Sequence, residues 1–151
     1  MLVNADLRDL YQEVVLDHGR RPRNFRSMEG ASAQSVGFNP LCGDKLTLFL
    51  HCEGDIVRDV SFQGSGCAIS TASASLLTET VKGKPRHEVE ALLAAFIEML
   101  TGTEKSDPTR LGKLAVFSGV KDFPVRVKCA TLAWRTLEAA LDGGAGEVST
   151  E

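Results

Sequence analysis

The sequence lacks the features of several common protein classes. Charged residues interrupt every apolar stretch within about ten residues, whereas a membrane-spanning helix needs roughly 20 apolar residues. The first residues, MLVNADLRDLYQ, lack the basic region and apolar core of a secretory signal. The formal net charge of −3 differs from the basic excess of most nucleic-acid-binding proteins. We therefore expect a cytoplasmic protein with neither a membrane nor a nucleic acid as its partner.

The four cysteines also lack the paired CxxC spacing of common zinc sites. Spacing alone therefore gives only a weak indication of zinc. Because the cytoplasm is reducing, we expect these cysteines to be metal ligands or reactive thiols rather than disulfides. The local setting of each cysteine has to distinguish between these roles.

What is present is an ordinary globular composition. The chain has 151 residues, of which 43% are apolar and 25% charged, which suits one domain with its own core. Strand patterns come early and helix patterns late, which predicts an α+β fold. We expect a single domain over residues 1–142 and a flexible, Gly-rich tail over residues 143–151.

The spacing of apolar side chains predicts the individual elements. Alternation every second residue indicates strands, and spacing of three to four residues indicates helices. In chain order we predict a helix over Asp6–His18, strands over Ala33–Phe38, Lys45–Cys52 and Ile56–Gln63, helices over Ala68–Val81 and His87–Leu100, a short helix capped by Ser106-Asp107-Pro108, and a last helix over Val127–Leu141.

Two of the cysteines lie at the ends of predicted elements, where ligands and nucleophiles are common. Cys42 lies in a turn, and Gly43 can adopt backbone angles that let Cys42 and Asp44 point to one side. Cys67 follows Gly-Ser-Gly at the start of a helix. The helix dipole and the unpaired N–H groups at that position favour a thiolate.

The other two cysteines differ from each other. Cys129 is predicted in the first turn of the last helix, close to Arg126 and Lys128, which also favour a thiolate. Cys52 alternates with three leucines and is expected to pack in the core. For Cys129, as for the two cysteines at the element ends, the alternative is a small apolar side chain that only fills space.

The three histidines are less suited to a metal site. His18 ends the first helix, where a cation would complement the helix dipole. His51 lies on the strand face opposite Cys52 and is expected to be exposed, and His87 opens a helix and is expected on the surface. The donor set that remains has three thiolates and one carboxylate, which suits zinc or the iron of a cluster.

Several segments resemble a known family. Asn39–Asp44 (NPLCGD), Gly64–Ser70 (GSGCAIS) and Phe123–Cys129 (FPVRVKC) are similar to the three cysteine blocks of the IscU/SufU, or NifU N-terminal-like, iron–sulfur assembly proteins. Tyr11–Asn24 resembles the family's N-terminal helix and the basic loop that follows. The resemblance extends from about residue 6 to residue 141. It implies a small three-stranded antiparallel sheet packed with helices.

Three features place the resemblance in the SufU branch of this family. Lys128 stands where the scaffold branch has a histidine before the third cysteine, and DFPVRVK replaces its Leu-Pro-Pro-Val-Lys chaperone motif. Residues 82–107 look like an insertion of the SufU branch. The resemblance thus implies a zinc-dependent acceptor of sulfur from a SufS-type cysteine desulfurase, with iron–sulfur scaffold proteins downstream. The alternative is a scaffold or carrier that assembles an iron–sulfur cluster on the same cysteines.

The resemblance also implies roles for individual residues. Cys42, Asp44, Cys67 and Cys129 would bind Zn²⁺, and Cys42 would also receive the sulfur. Arg126 would help to orient the partner or the persulfide. Because a thiolate in a closed four-ligand zinc site is a weak nucleophile, Cys42 has to leave the metal before it can react, and the family implies that a histidine of the desulfurase takes its place.

Overall fold

The structure, a computed structural model, describes residues 2–102, 108–143 and 147–149. Its elements follow the order predicted from the sequence. They are α1 (Leu2–Arg20), β1 (Ala33–Asn39), β2 (Asp44–Glu53), β3 (Ile56–Ser65), α2 (Ala68–Val81), α3 (Arg86–Thr101), a 3₁₀ segment (Pro108–Val120), α4 (Pro124–Leu141) and β4 (Glu147–Ser149).

The sheet confirms the predicted α+β fold. Strands β1, β2 and β3 form the expected antiparallel sheet. A fourth strand, β4, pairs in parallel with β1 and makes the order β3-β2-β1-β4. The sequence analysis did not predict this three-residue strand, and the flexibility expected for the remaining tail stays a prediction.

The boundaries differ from the predicted ones in two places that bear on the site. Helix α4 begins at Pro124, three residues before the predicted start, because a proline fits the first helical position, where no N–H is needed. The short predicted helix is interrupted at Gly112, whose φ of 56° is not helical. The predicted cap at Ser106 and Asp107 lies outside the described residues.

The core lies between one face of the sheet and the helices α2, α3 and α4. Leu46, Leu48 and Leu50 of β2 point into it, as their alternation predicts. The Trp134 indole of α4 stacks on Phe96 with a centroid distance of 4.6 Å. None of the described helices is long and apolar enough to cross a bilayer.

A hydrogen bond fixes the two helices that carry Cys67 and Cys129. The Ser73 hydroxyl of α2 donates to the Ala130 carbonyl of α4, and the Trp134 indole N–H donates to the same hydroxyl at 3.2 Å. Alanine and serine dominate this part of α2, so the two helices approach closely. Both cysteines are therefore held on packed, buried elements.

His18 does not have the role predicted for it. The sequence suggested a cation at the end of α1, but α1 packs on α2 and leaves His18 only 3% exposed. Its Nδ1 lies 2.7 Å from the Ser75 hydroxyl oxygen. Burial, reinforced by Arg23, lowers the pKa of His18, which favours a neutral imidazole. His51, with 44% of its side chain exposed, and His87 both reach solvent, as predicted.

Candidate metal centre

Three of the predicted ligands lie together at one end of the sheet. The ligand atoms of Cys42, Asp44 and Cys129 are all within 4.8 Å of one another. The Sγ atoms of Cys42 and Cys129 are 3.2 Å apart. Two thiolates on a tetrahedral zinc ion, with bonds of about 2.3 Å, are about 3.8 Å apart. The group is therefore close to the size that a zinc ion requires.

Asp44 lies at the centre of this group. It begins β2 directly opposite Asn39, the last residue of β1, and its side chain is fully buried. Its Oδ1 accepts a hydrogen bond from the backbone N–H of Cys67 at 2.8 Å. Within the described part of the chain, no cationic side chain forms an ion pair with this carboxylate. A buried carboxylate without a countercharge is unfavourable, so the position suits a residue that binds a cation.

Cys67 occupies the helix N-terminus predicted for it. It is the N-cap of α2, and its Sγ accepts from the backbone N–H of Ser70 at 3.4 Å. The same Sγ lies 3.9 Å from Asp44 Oδ2, at the side of the three-residue group. Gly66 permits this approach, because a Cβ at that position would lie 2.7 Å from the Asp44 carboxylate.

Cys129 lies in a different setting from the predicted one. Because α4 starts early, Cys129 is in the second turn, where it is 2% exposed. Burial raises the pKa of the Cys129 thiol, and the neighbouring Cys42, Asp44 and Cys67 raise it further. The expectation that nearby cations favour a thiolate here is wrong, since burial dominates. A bound cation would oppose this shift, because a metal ion favours the deprotonated thiol.

Cys42 and Arg126 lie on the outside of the group. Cys42 is exposed in the turn between β1 and β2, where Gly43 has the left-handed φ of +70° that favours glycine. Arg126 is exposed in the first turn of α4, and its guanidinium carbon lies 4.7 Å above the centroid of the Phe123 ring. This cation–π contact orients the side chain of Arg126, which is three residues before Cys129 on the chain, against Phe123.

The sequence analysis missed Asn39. Its side chain is fully buried, and its amide Nδ2 lies 3.4 Å from Asp44 Oδ2 and 3.6 Å from Cys129 Sγ. Its Oδ1 is buried without a hydrogen-bond partner among the described residues. The sequence analysis named Asn39 only as the first residue of the NPLCGD block and gave it no role. The hairpin register could have revealed the role, because a four-residue connection places Asn39 beside Asp44.

Cys52 is separate from this group. It lies near the far end of β2, half-buried, and packs against the hydrophobic core as predicted. The donors that do meet are two thiols and a carboxylate, with the Cys67 thiol beside them. Such sulfur-rich sets suit zinc or an iron–sulfur cluster. The residues present therefore fit either group.

Comparison with known proteins identifies the family. Residues 10–142 match the family model of the NifU-like N-terminal domain. The zinc-dependent sulfurtransferase SufU of Bacillus subtilis is 41% identical over 138 residues, which cover 91% of this chain and 93% of that protein. The iron–sulfur cluster assembly scaffold protein IscU of Streptococcus pyogenes is also 41% identical, over 91% of this chain and 86% of that protein.

A solved structure agrees with these similarities. The crystal structure of a putative iron–sulfur cluster assembly scaffold protein for the SUF system from Fervidobacterium islandicum superimposes with a TM-score of 0.81. The two chains are 37% identical, and the match covers 85% of this chain and 94% of that one. This chain belongs to the NifU-like N-terminal domain family of iron–sulfur cluster assembly proteins.

Proposed function

We propose that the protein is a zinc-dependent sulfurtransferase that accepts sulfur from a SufS-type cysteine desulfurase. The observation that supports this function best is the unequal burial of the ligand group. Asp44 and Cys129 are buried, whereas Cys42 is exposed in a turn. An exposed thiol in a group of otherwise held ligands can be reached by a partner's persulfide. The B. subtilis relative bears the name of this activity.

Zinc would be held by Cys42, Asp44, Cys67 and Cys129. When bound, the ion supplies the positive charge that keeps the thiols deprotonated and offsets the buried carboxylate. Asp44 Oδ1 accepts the short bond from the Cys67 N–H at 2.8 Å, whereas Oδ2 has only the longer amide contact of Asn39 at 3.4 Å, so Oδ2 is the oxygen better placed to bind the ion. The protein therefore contributes a donor set in which most members are fixed in place.

The sulfur step is a thiolate exchange at Cys42. The Cys42 thiolate attacks the outer sulfur of a cysteine persulfide on the desulfurase. A new S–S bond forms on Cys42, the S–S bond of the donor breaks, and the donor cysteine leaves as a thiolate. There is no net oxidation, because one persulfide is consumed and one is formed. Sulfur would then pass from Cys42 to downstream iron–sulfur scaffold proteins.

The surface around Cys42 supports a protein donor. Leu41, next to Cys42, and Phe123 and Val125, at the start of α4, are large apolar side chains that remain exposed. Val125 precedes Cys129 by one helical turn and so lies on the same side of α4. Arg126 would add a positive charge at the same end of the site. Exposed apolar side chains beside a reactive group are typical of a binding surface for another protein.

The second candidate is a scaffold or carrier that assembles an iron–sulfur cluster on the same cysteines. It is favoured by one observation, the similarity to the S. pyogenes IscU at the same identity as to SufU. The donor set itself fits both, since thiolates bind zinc and the iron of clusters.

Metal analysis of the aerobically purified protein distinguishes the two functions. The proposed function predicts about one zinc per chain and no colour. After incubation with cysteine and a SufS-type desulfurase, peptide mass mapping should place the extra sulfur on Cys42. A brown protein that contains iron and transfers a cluster to an apo-acceptor would favour the scaffold.

A further inference from the structure

We infer that Asn39 is a positioning residue that holds Asp44 and Cys129 in the metal site and thereby leaves Cys42 as the ligand that exchanges. This inference rests on the metal site of the proposed function. It assigns a role to a residue that is not itself a ligand, and it explains why one cysteine of the set is released rather than another.

The contacts of Asn39 support this role. A side-chain amide nitrogen carries two hydrogens, and Nδ2 faces two acceptors, Asp44 Oδ2 at 3.4 Å and Cys129 Sγ at 3.6 Å. One short side chain therefore contacts a ligand on β2 and a ligand on α4. Asn39 itself is fixed, because it is the last residue of β1, pairs with Asp44 in the sheet and is fully buried.

The other amide atom of Asn39 makes no hydrogen bond to the described residues. Oδ1 of Asn39 is buried without a partner among the described residues, which is unfavourable for a carbonyl oxygen. Here the NH₂ group faces two metal ligands, so we attribute the orientation to those two contacts.

The other two ligands, Cys67 and Cys42, differ in whether an N–H group donates to their sulfur. Cys67 is held through its Sγ by the Ser70 N–H. Cys42 contacts the Cys129 thiol, and it lies in an exposed turn beside a glycine with a positive φ. In the described part of the chain, no N–H group donates to the Cys42 sulfur. N–H donors thus reach Asp44, Cys129 and Cys67, whereas among the described residues the Cys42 sulfur is contacted by a thiol alone.

The test uses three variants of the full-length, zinc-loaded protein. Asn39→Asp keeps the size of the side chain but replaces the donor with a negative charge beside Asp44. Asn39→Ala removes the donor without adding charge. Asn24→Asp is the matched control, because the Asn24 amide donates to Thr78 Oγ1 at 3.0 Å, well along α2 from the site.

Two measurements are made on each variant. Competition with a chromophoric chelator gives the zinc dissociation constant, which we expect to rise about 10- to 100-fold in both Asn39 variants, the usual effect of removing a partner of a metal ligand. Limited alkylation of the zinc form, mapped by mass spectrometry, gives the order in which the cysteines react. We expect Cys42 to react first in the wild type and the control, and Cys129 to react at a similar rate in Asn39→Ala.

The outcomes separate this inference from the proposed function. If both Asn39 variants bind zinc as tightly as the control and retain the preference for Cys42, the inference is wrong while the sulfurtransferase stands. If the wild type holds iron instead of zinc, the proposed function is wrong. The role of Asn39 is then tested by comparing iron retention and the order of cysteine alkylation between the Asn39 variants and the control. If Asn39→Asp does not fold, Asn39→Ala decides, and an unchanged alkylation order in it overturns the inference.

Discussion

Two corners of the molecule bury titratable groups against α2, and they differ in how those groups are satisfied. At one corner, Ser75 lies 2.7 Å from the His18 ring and accepts the Arg23 N–H at 2.8 Å, while Glu79 lies 3.6 Å from the other ring nitrogen. Each polar atom there has a partner in the protein. A structural polar cluster of this kind requires no ligand.

At the other corner, some of the buried polar atoms lack a partner among the described residues. The Cys129 and Cys42 thiols face each other. Among the described residues, no cationic side chain pairs with the Asp44 carboxylate, and no group donates a hydrogen bond to Asn39 Oδ1. Burial lowers the pKa of His18 and raises that of Cys129. Burial disfavours the charge in both cases, but in the described part of the chain only the Cys129 thiol lies in a group of side chains that could together bind a metal ion. This difference supports the second corner as the candidate metal site.

The largest expected effect is the loss of the exposed thiol. Cys42→Ala should abolish stimulation of a SufS-type desulfurase, because no nucleophile remains to accept the sulfur. Cysteine turnover with and without the variant measures this. Cys52→Ala is the matched control, since Cys52 lies outside the site. Stimulation by Cys42→Ala equal to that of the wild type would move the acceptor role to another cysteine.

Removal of the metal should be the next largest effect. A ligand at about 1,000 times its dissociation constant stabilises a fold by about 4 kcal/mol, which for a chain of this size corresponds to a decrease of roughly 10 °C in Tm. Thermal melts with and without a strong chelator measure it. The corner around His18 should not respond, so His18→Gln should show the same decrease on chelation.

Two Asp44 variants should separate the hydrogen bond that Asp44 accepts from Cys67 from the negative charge that it offers to zinc. Asp44→Asn keeps an oxygen that can accept the Cys67 N–H, so in the absence of zinc we expect stability close to the wild type. We also expect weaker zinc binding and impaired stimulation of the desulfurase. Asp44→Ala removes both the zinc ligand and the acceptor of the Cys67 N–H. The unpaired N–H should lower the free energy of unfolding by a further 1 to 3 kcal/mol, roughly. Chemical unfolding and zinc titration distinguish the two. Equal stability of both variants would show that the Cys67 contact contributes little.

The pH dependence should report on the His18 corner. The lowered pKa of His18 means that the unfolded chain binds the proton more readily than the folded one. Stability is therefore complete above the ordinary histidine pKa of about 6.5 and decreases as the pH falls below it. Urea unfolding at pH 7.5 and 5.5, with chelator present, measures this decrease. His18→Gln should reduce it, and His87→Gln, at an exposed position, should not.

The smallest effect is expected at Cys52. Cys52→Ser places a hydroxyl on the partly buried face of the hairpin and should lower the free energy of unfolding by about 1 kcal/mol. The zinc content should stay at the wild-type value, because this thiol lies outside the ligand group. Metal analysis and urea unfolding of the same preparation test both statements. A loss of zinc would mean that Cys52 belongs to the site.

The sequence predicted most of the fold because local patterns decide it. The alternation of Leu46, Leu48 and Leu50 specified the buried face of β2, and the bounds of α2 agree with the apolar spacing of Ala68–Val81. Strand β4 was missed, because three residues carry no period. The burial of His18 was missed as well, because it depends on how α1 packs against α2, which no single segment encodes.

For the site, the sequence identified donors but not their surroundings. The cysteine blocks pointed to Cys42, Asp44, Cys67 and Cys129, and the ligand atoms of three of these four residues lie within 4.8 Å of one another. Neither the burial of Cys129 nor the bridging amide of Asn39 could be predicted from local setting. Both arise where β1, β2 and α4 meet, and these segments are up to 90 residues apart.

The contact between Cys42 and Cys129 joins points 87 residues apart in the chain. An ion bound at both would therefore act as a removable crosslink, and a permanent link closing a loop of that length restricts the unfolded chain by about 4 to 5 kcal/mol. Release of Cys42 would break only one of the bonds between the protein and the ion. Asp44, tied to the backbone of Cys67, and Cys129 on α4 keep the sheet, α2 and α4 connected. The proposed sulfur transfer would then require only the turn over residues 40–43 to move, because the other ligands still connect the sheet, α2 and α4.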